Sequence, residues 1–360
     1  MSLAYPLKLF PAAGDLGRLL PARLMPLDRY RSITGALSAE GLRPHDYAWL
    51  RFAVHAAILP PEEPQDIAER ITALAALLLK EAMWFRDLAT PMRHVVAAML
   101  VRQNVPLADF LVHHTQSISI LRDAGLRAAS FYETMAVLIL YMRPREAPFG
   151  RDEAMRIKDI YDRMKKNHWW LTGTNGVPHC AALSLCAGSA ESLVGQSEEI
   201  YQDLRALGMT SGFHLRSAAH ILTMNTIPVR SRLDRWMAIA DGMENHLGPL
   251  GADKYELLAV LSLLDHRADW IVRKFFAVAN ELDQLQHNLA GLTNHIIAAD
   301  LTVLDLMRFD DSNEHFSDAE SIDAMLRTLH LYHLSSALLF SQLRTDMIPE
   351  ELVSMAGFNA

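Results

Sequence analysis

A turn followed by an alanine-centred apolar helix returns about every 40 residues along this chain. The clearest copies run from Gly125-Leu126 to Ala136-Val137-Leu138, from Gly208-Met209 to Ala219-His220-Ile221-Leu222, and from Leu250-Gly251 to Ala259-Val260-Leu261. Weaker copies run from Gly41-Leu42 to Ala53-Val54 and from Leu171-Thr172-Gly173 to Ala181-Ala182-Leu183. A unit of that length holds two helices and a turn and cannot bury its own apolar face, so copies must stack. The expected fold is all-α: about seven stacked helical hairpins forming an α/α solenoid or superhelix, with a closed α/α toroid as the alternative.

Composition narrows the classes of function. Of 360 residues, 51% are apolar, enough for a large core, and a repeat array grows without needing separate domains. The formal charge is −8 with Lys and Arg scattered, so no footprint for a phosphate backbone is visible and nucleic acid is not an expected partner. Apolar runs stop early: Ile71 to Leu79 meets Lys80, and Met135 to Met142 meets Arg143, short of the roughly 20 residues of a membrane span. No span is expected. The first residues lack a basic cluster, and Pro6 and Pro11 interrupt what would be the apolar part of a signal peptide. Cys180 and Cys186, placed on one helix, would lie roughly 9 Å apart along its axis, too far for a disulfide. A reduced, cytoplasmic setting is the expectation.

Along the chain, residues 1–37 read as an irregular N-terminal arm, 38–308 as the helical-hairpin repeat domain, and 309–360 as an acidic loop with C-terminal capping helices of the same domain. A helix from Asp46 to Leu59 is stopped by Pro60-Pro61, and Glu62-Glu63 leads into another from Asp66 to Arg86. Pro106 opens a helix whose face is Leu107, Phe110, Leu111, His114, Ile118 and Leu121, and Gly125 caps its end. Ser130-Phe131-Tyr132-Glu133 and Ser317-Asp318-Ala319-Glu320 read as capping boxes. Further helices are expected with a face at Ile157, Ile160, Tyr161 and Met164, then over 192–206, 213–224, 228–246, 255–264, 270–287 and 293–307. No run alternates at period two for long enough to be a strand.

Two segments, Met164-Lys165-Lys166-Asn167-His168-Trp169-Trp170-Leu171-Thr172-Gly173 and Tyr201, Leu204, Gly208-Met209, Gly212, Leu215, His220-Ile221-Leu222, resemble a bacterial family known only as domain of unknown function 4003. The resemblance extends over residues 40 to 310 and implies helical proteins with no assigned activity. In that family an acidic residue, a tyrosine and a proline follow the Leu-Thr element, whereas Gly176-Val177-Pro178 keeps only the proline.

Candidate chemistry weighs light. Sixteen histidines invite a metal, yet His-Glu-x-x-His is absent and no Glu stands three residues before a histidine. His330 and His333 make the best chelate spacing, and two ligands are not a site. His179, Cys180 and Cys186 near His168 suggest soft ligands or a thiol with a base, but the Ala181 to Leu185 run makes a packed core the stronger reading. Asp310-Asp311-Ser312-Asn313-Glu314 reads as a solvated acidic loop, since no second metal motif accompanies it. Hydrolase elbows, phosphate loops and dinucleotide-binding glycines are missing. No catalytic residue, cofactor or metal is assigned.

Trp169-Trp170 stands out, because adjacent indoles at a helix end cannot both face one core. Tryptophan at a surface is typical of binding hot spots. The candidate recognition surface is therefore His168, Trp169, Trp170, Thr172 and Asn175, joined by His220, whose slot in other repeats holds Val137 or Val260. His220 reads first as a packed histidine bonded to a neighbouring turn. The expected function is a cytoplasmic binding or scaffold module for a protein or peptide segment. The alternatives are a toroid enzyme of hydrolase or isomerase type with a central polar pocket, and an oligomeric structural protein.

Overall fold

The computed structural model describes residues 25–42, 48–60, 62–81, 92–127, 130–141, 149–168, 173–225, 228–264, 266–285 and 292–306. The regular structure within them is helical, with no strand. In chain order the α-helices are α1 (Pro26–Ala39), α2 (Ala48–Ala56), α3 (Pro64–Glu81), α4 (Met92–Gln103), α5 (Leu107–Asp123), α6 (Ser130–Tyr141) and α7 (Arg151–Asn167). They continue as α8 (Val177–Ser184), α9 (Ala190–Ala206), α10 (Phe213–Met224), α11 (Val229–Leu247), α12 (Tyr255–Leu261), α13 (Ala268–Leu285) and α14 (Leu292–Leu306). One-turn 3-10 helices, Thr174–Gly176 and Ala252–Lys254, lead into α8 and α12.

Two kinds of helix alternate, and the sequence explains the difference. Odd-numbered helices carry one apolar stripe at three- and four-residue steps: Ala154, Ile157, Ile160 and Met164 on α7, and Ile271, Val272, Phe275, Val278, Ala279 and Leu282 on α13 are buried while the opposite faces are charged. Even-numbered helices are the alanine-centred segments of the repeat, and they are buried on every side. Each residue of α8 from Val177 to Leu183, of α10 from Leu215 to Met224, and of α12 is buried. A helix without a polar face must be surrounded by protein, and small residues such as Ala181, Ala182, Ala218, Ala219 and Ala259 let its neighbours approach. Even helices pack on even ones, α2 on α4, α6 on α8, and α10 on α8 and α12, with α12 on α14. Odd helices pack on odd ones, α1 on α3, α5 on α7, α7 on α9, and α11 on α9 and α13.

The two ends of the chain's described part meet. α14 rests on both α1 and α2. Arg31 Nη2 donates to Glu281 Oε2 at 2.5 Å, and the buried Arg51 Nη1 donates to Asn294 Oδ1 at 2.7 Å. Asn294 Nδ2 in turn donates to Asp283 Oδ1 at 2.6 Å, and His55 Nε2 lies 3.1 Å from Asp300 Oδ2 with both side chains buried.

Three of the repeat's glycines do the same job. Gly41, Gly125 and Gly208 have φ of +84°, +84° and +94°, and the following amide reaches back over the helix end: Leu42 N to Leu37 O (3.0 Å), Leu126 N to Leu121 O (2.9 Å), Met209 N to Leu204 O (3.1 Å). This closure satisfies otherwise orphaned carbonyls and turns an apolar residue back onto the helix. Asn104, φ 49°, closes α4 in the same way, with Val105 N on Leu100 O at 3.0 Å. Gly208→Ala meets no atom within 4 Å, so its cost is the left-handed backbone alone. It is expected to lower stability by about 1 kcal/mol, with Gly208→Asn costing less, measured by urea denaturation. A gain in stability would show that the turn tolerates β-carbons.

Several expectations need correction. Residues 26–37, read as part of an irregular arm, belong to α1, because Pro26 starts a helix and Tyr30, Ile33 and Leu37 supply a buried stripe. Gly251 has an ordinary φ of −71°, and Gly248, φ +74°, ends α11 instead. Glu133, expected in a capping box whose Ser130 side chain lies outside the described residues, is a buried carboxylate that also accepts from Arg122 Nε at 2.9 Å and Nη2 at 2.5 Å. α8 stops at Ser184, so Cys186 lies beyond the helix that holds Cys180. α4 has no amphipathic stripe to announce it; Val95 to Val101 are all buried. The segment from Phe309 onward, including His330, His333 and the Asp310 to Glu314 run, lies outside the described residues, as do residues 1–24 of the expected arm. Among the described residues no single helix is long and apolar enough to cross a membrane, and α4 and α5 reach that length only together, across a 115° bend.

Candidate functional site

Three helices bring a group of buried and half-buried polar side chains together. α7 ends at Asn167, and His168 caps it with its amide on Met164 O at 2.9 Å. α9 turns a stripe of Val194, Ser197, Glu198 and Tyr201 towards that end, at steps of three, one and three residues that share a helix face. α10 adds Arg216 and His220, one turn apart. Together with Met164 and Asn167 these residues line a slot with about 10 Å³ of space for water. That is on the order of a single water molecule.

At the mouth, His168 Nε2 lies 2.6 Å from Glu198 Oε2, and Gln202 Nε2 donates to Glu198 Oε1 at 2.6 Å. The His168 ring rests on Tyr201 with centroids 4.9 Å apart. At the floor, the Arg216 guanidinium lies 5.3 Å over the Phe213 ring, and His220 meets His179 of α8 with ring centroids 5.0 Å apart. His220 is 2% exposed, and its Nδ1 has no hydrogen-bond partner. Burial sets the charges. Desolvation, with Arg216 nearby, lowers the His179 pKa to about 3; desolvation, then His179 and Arg216, hold His220 well below the ordinary histidine value. Both imidazoles are neutral near pH 7. Arg216 is lowered by burial to about 10 and keeps its charge. Burial raises the Cys180 thiol to about 12 and the Cys186 thiol to about 11, so neither is a thiolate nucleophile near neutral pH. Cys180 Sγ packs 3.6 Å from Met164 Sδ as core.

Of the expected recognition surface, the structure brings His168 and His220 to one slot. Trp169, Trp170 and Thr172 lie outside the described residues, directly after His168 in the chain. Asn175 sits half-buried in the 3-10 turn before α8 and does not line the slot. His220 is packed as expected, against a ring of α8 and not in a hydrogen bond from its Nδ1 to a turn. Sequence reasoning missed Glu198 and Arg216 as site residues. Arg216 had a signal: it is the only charged residue of α10, inside a run where every neighbour is buried.

A second polar pair lies on the other side of α10. His214 Nδ1 is 2.9 Å from Oε1 and 3.2 Å from Oε2 of the buried Glu256 of α12. Desolvation raises the Glu256 pKa, with the His214 hydrogen bond and charge, and a hydrogen bond from Ser217, pulling it back. Close by, the Thr210 amide donates to Tyr255 Oη at 3.0 Å. Among the described residues no group of three or more His, Cys, Asp or Glu side chains is placed to hold a metal ion.

The slot residues fall inside the region shared with known sequences. An uncharacterised protein, YeaA of Bacillus subtilis (strain 168), is 30% identical over 92 residues, a stretch covering 26% of this chain and 28% of that protein. The chain thus matches less than a third of this relative's length. No solved structure matches. The model of the family described as protein of unknown function DUF4003 matches residues 65–307, from α3 to the residue after α14 and through every slot residue. With well over half of its length inside that match, the chain belongs to the DUF4003 family.

Proposed function

We propose that this protein is a cytoplasmic binding module for a protein or peptide segment, built as a closed α/α ring and recognising its partner at the α7–α9–α10 slot. The observation that carries the reading is the convergence of Asn167, His168, Tyr201 and His220, drawn from two separate sequence segments, on one slot with Glu198 and Arg216. A water-sized slot is far below the several hundred Å³ of a small-molecule pocket. It suits one functional group presented by a larger partner. The contacts of α14 with α1 and α2 favour the ring over an open superhelix, and two free cysteines fit a reducing compartment.

The toroid-enzyme reading draws on one feature. His214, held at Nδ1 by a buried carboxylate and 27% exposed, has the form of an oriented general base. No nucleophile or oxyanion donor stands with it among the groups described above. The test of the binding reading is affinity capture from native lysate with the native chain, His168→Ala and Trp169→Ala. The expected result is a protein retained by the native chain and released by both variants, with thermal melting unchanged. Identical capture by all three chains would reject it. A sharp drop in melting temperature for Trp169→Ala would assign that indole to the core.

A further inference from the structure

We infer that the slot between α7, α9 and α10 is a carboxylate site, taking one oxygen of a monovalent carboxylate between Arg216, Tyr201 and His220. The inference rests on the reading of the slot as a recognition point and names the chemistry of the group recognised.

Charge gives the sign. Arg216 is a permanent cation on the slot's floor, and the histidines beside it are neutral. The single acid of the lining, Glu198, is turned to the mouth and spent on His168 and Gln202. Its negative charge there disfavours a dianion such as a phosphate monoester relative to a monoanion.

Valence and size give the group. His220 Nδ1 is a buried polar atom without a partner, a state that costs about 1–3 kcal/mol. An acceptor oxygen in the slot relieves it when the proton sits on Nδ1. Tyr201 and Ser197, one turn apart on α9, also line the slot, and a single carboxylate oxygen accepts a charge-assisted hydrogen bond from a guanidinium. The space admits one oxygen-sized atom. The rest of a carboxylate therefore stays at the mouth beside His168, where a side chain or chain terminus can carry it.

The test is a titration of the full chain, with histidine rings isotopically labelled, by sodium acetate and separately by sodium chloride up to about 100 mM. Acetate is expected to move the His220 ring signals along a saturating curve, and chloride to move them only weakly. In Arg216→Met the acetate affinity is expected to fall at least about tenfold. A straight, unsaturable acetate response, or equal saturation by chloride, overturns the assignment. Should Arg216→Met fail to fold, a nuclear Overhauser contact from the acetate methyl to the Tyr201 ring of the native chain decides: its presence supports the site and its absence rejects it. Loss of partner capture in Trp169→Ala with no acetate response rejects the carboxylate and leaves the binding reading intact. Saturable acetate with unaltered capture keeps the anion site and removes the partner.

Discussion

Taking the protein from about pH 7.5 to about pH 5 is expected to remove about 4 kcal/mol of its stability, a large share of the 5–15 kcal/mol of an ordinary fold. The cause is imidazoles folded in the neutral form, His114, His179 and His220 among them. His114 is lowered to about 4 by burial, then by His113 and Arg122, and bonds Thr134 Oγ1 at 3.0 Å. His179 is lowered to about 3, and His220 lies well below its ordinary value. Each has a folded pKa below the roughly 6.5 of the unfolded chain. The unfolded state therefore binds more protons as pH falls, so their contribution is complete above about 6.5 and is lost progressively towards the folded values. At pH 5 His114 and His179 have each lost about 2 kcal/mol, since one pH unit is worth about 1.36 kcal/mol per proton, and His220 shifts stability in the same direction. Glu256 acts in the opposite sense: its raised pKa makes acid relieve a buried charge, which offsets part of the loss. Urea denaturation at both pH values measures the difference. His179→Leu should flatten the slope by about one proton, and equal stability at pH 7.5 and 5 would show that these rings protonate in place.

The same histidines mark what could be read from the chain alone. Helix positions were legible because the signals are local: Pro106, Pro228 and the glycines at 41, 125 and 208 punctuate the chain, and the apolar stripes of α7 and α13 follow the helical period. The division into buried and half-exposed helices was legible too, since alanine-centred segments carry no polar face. α1 was not, because its stripe is short and follows a segment rich in breakers. Polar partners were also hidden. The distance from Glu133 to Arg122 is set by how α5 packs on α6, which the capping-box pattern at Ser130 does not report. His168 and His220 belong to recognised segments, but that they share a slot with Glu198 and Arg216 depends on the packing of α9 against α7 and α10. Composition and period do not encode such distances.

Closure of the ends leads to the largest effect expected of a single substitution. Arg51 is fully buried on α2, and its bond to Asn294 Oδ1 joins residues 243 positions apart. Asn294 is itself fully buried and continues the link to Asp283 of α13. Arg51→Ala removes the donor, leaves the Asn294 carbonyl short of one, and opens a void the size of the lost side chain. The unmet acceptor and the void together cost about 3–5 kcal/mol. Arg51→Met fills most of the void and abolishes the burial of a charge, so its cost should fall to about 1–3 kcal/mol, that of the unmet acceptor. A destabilisation below about 1 kcal/mol for Arg51→Ala would mean that water or a neighbouring side chain replaces the guanidinium. Hydrogen exchange adds a test of the contact between the two ends. With the Arg51 link cut, α2 and α14 should lose protection together while α8 and α10 keep theirs, because fewer contacts, His55 to Asp300 and Arg31 to Glu281 among them, then hold the two ends together. Loss confined to α2 would show that the two ends touch without supporting each other, and the contacts of α14 with α1 and α2 would no longer account for its stability.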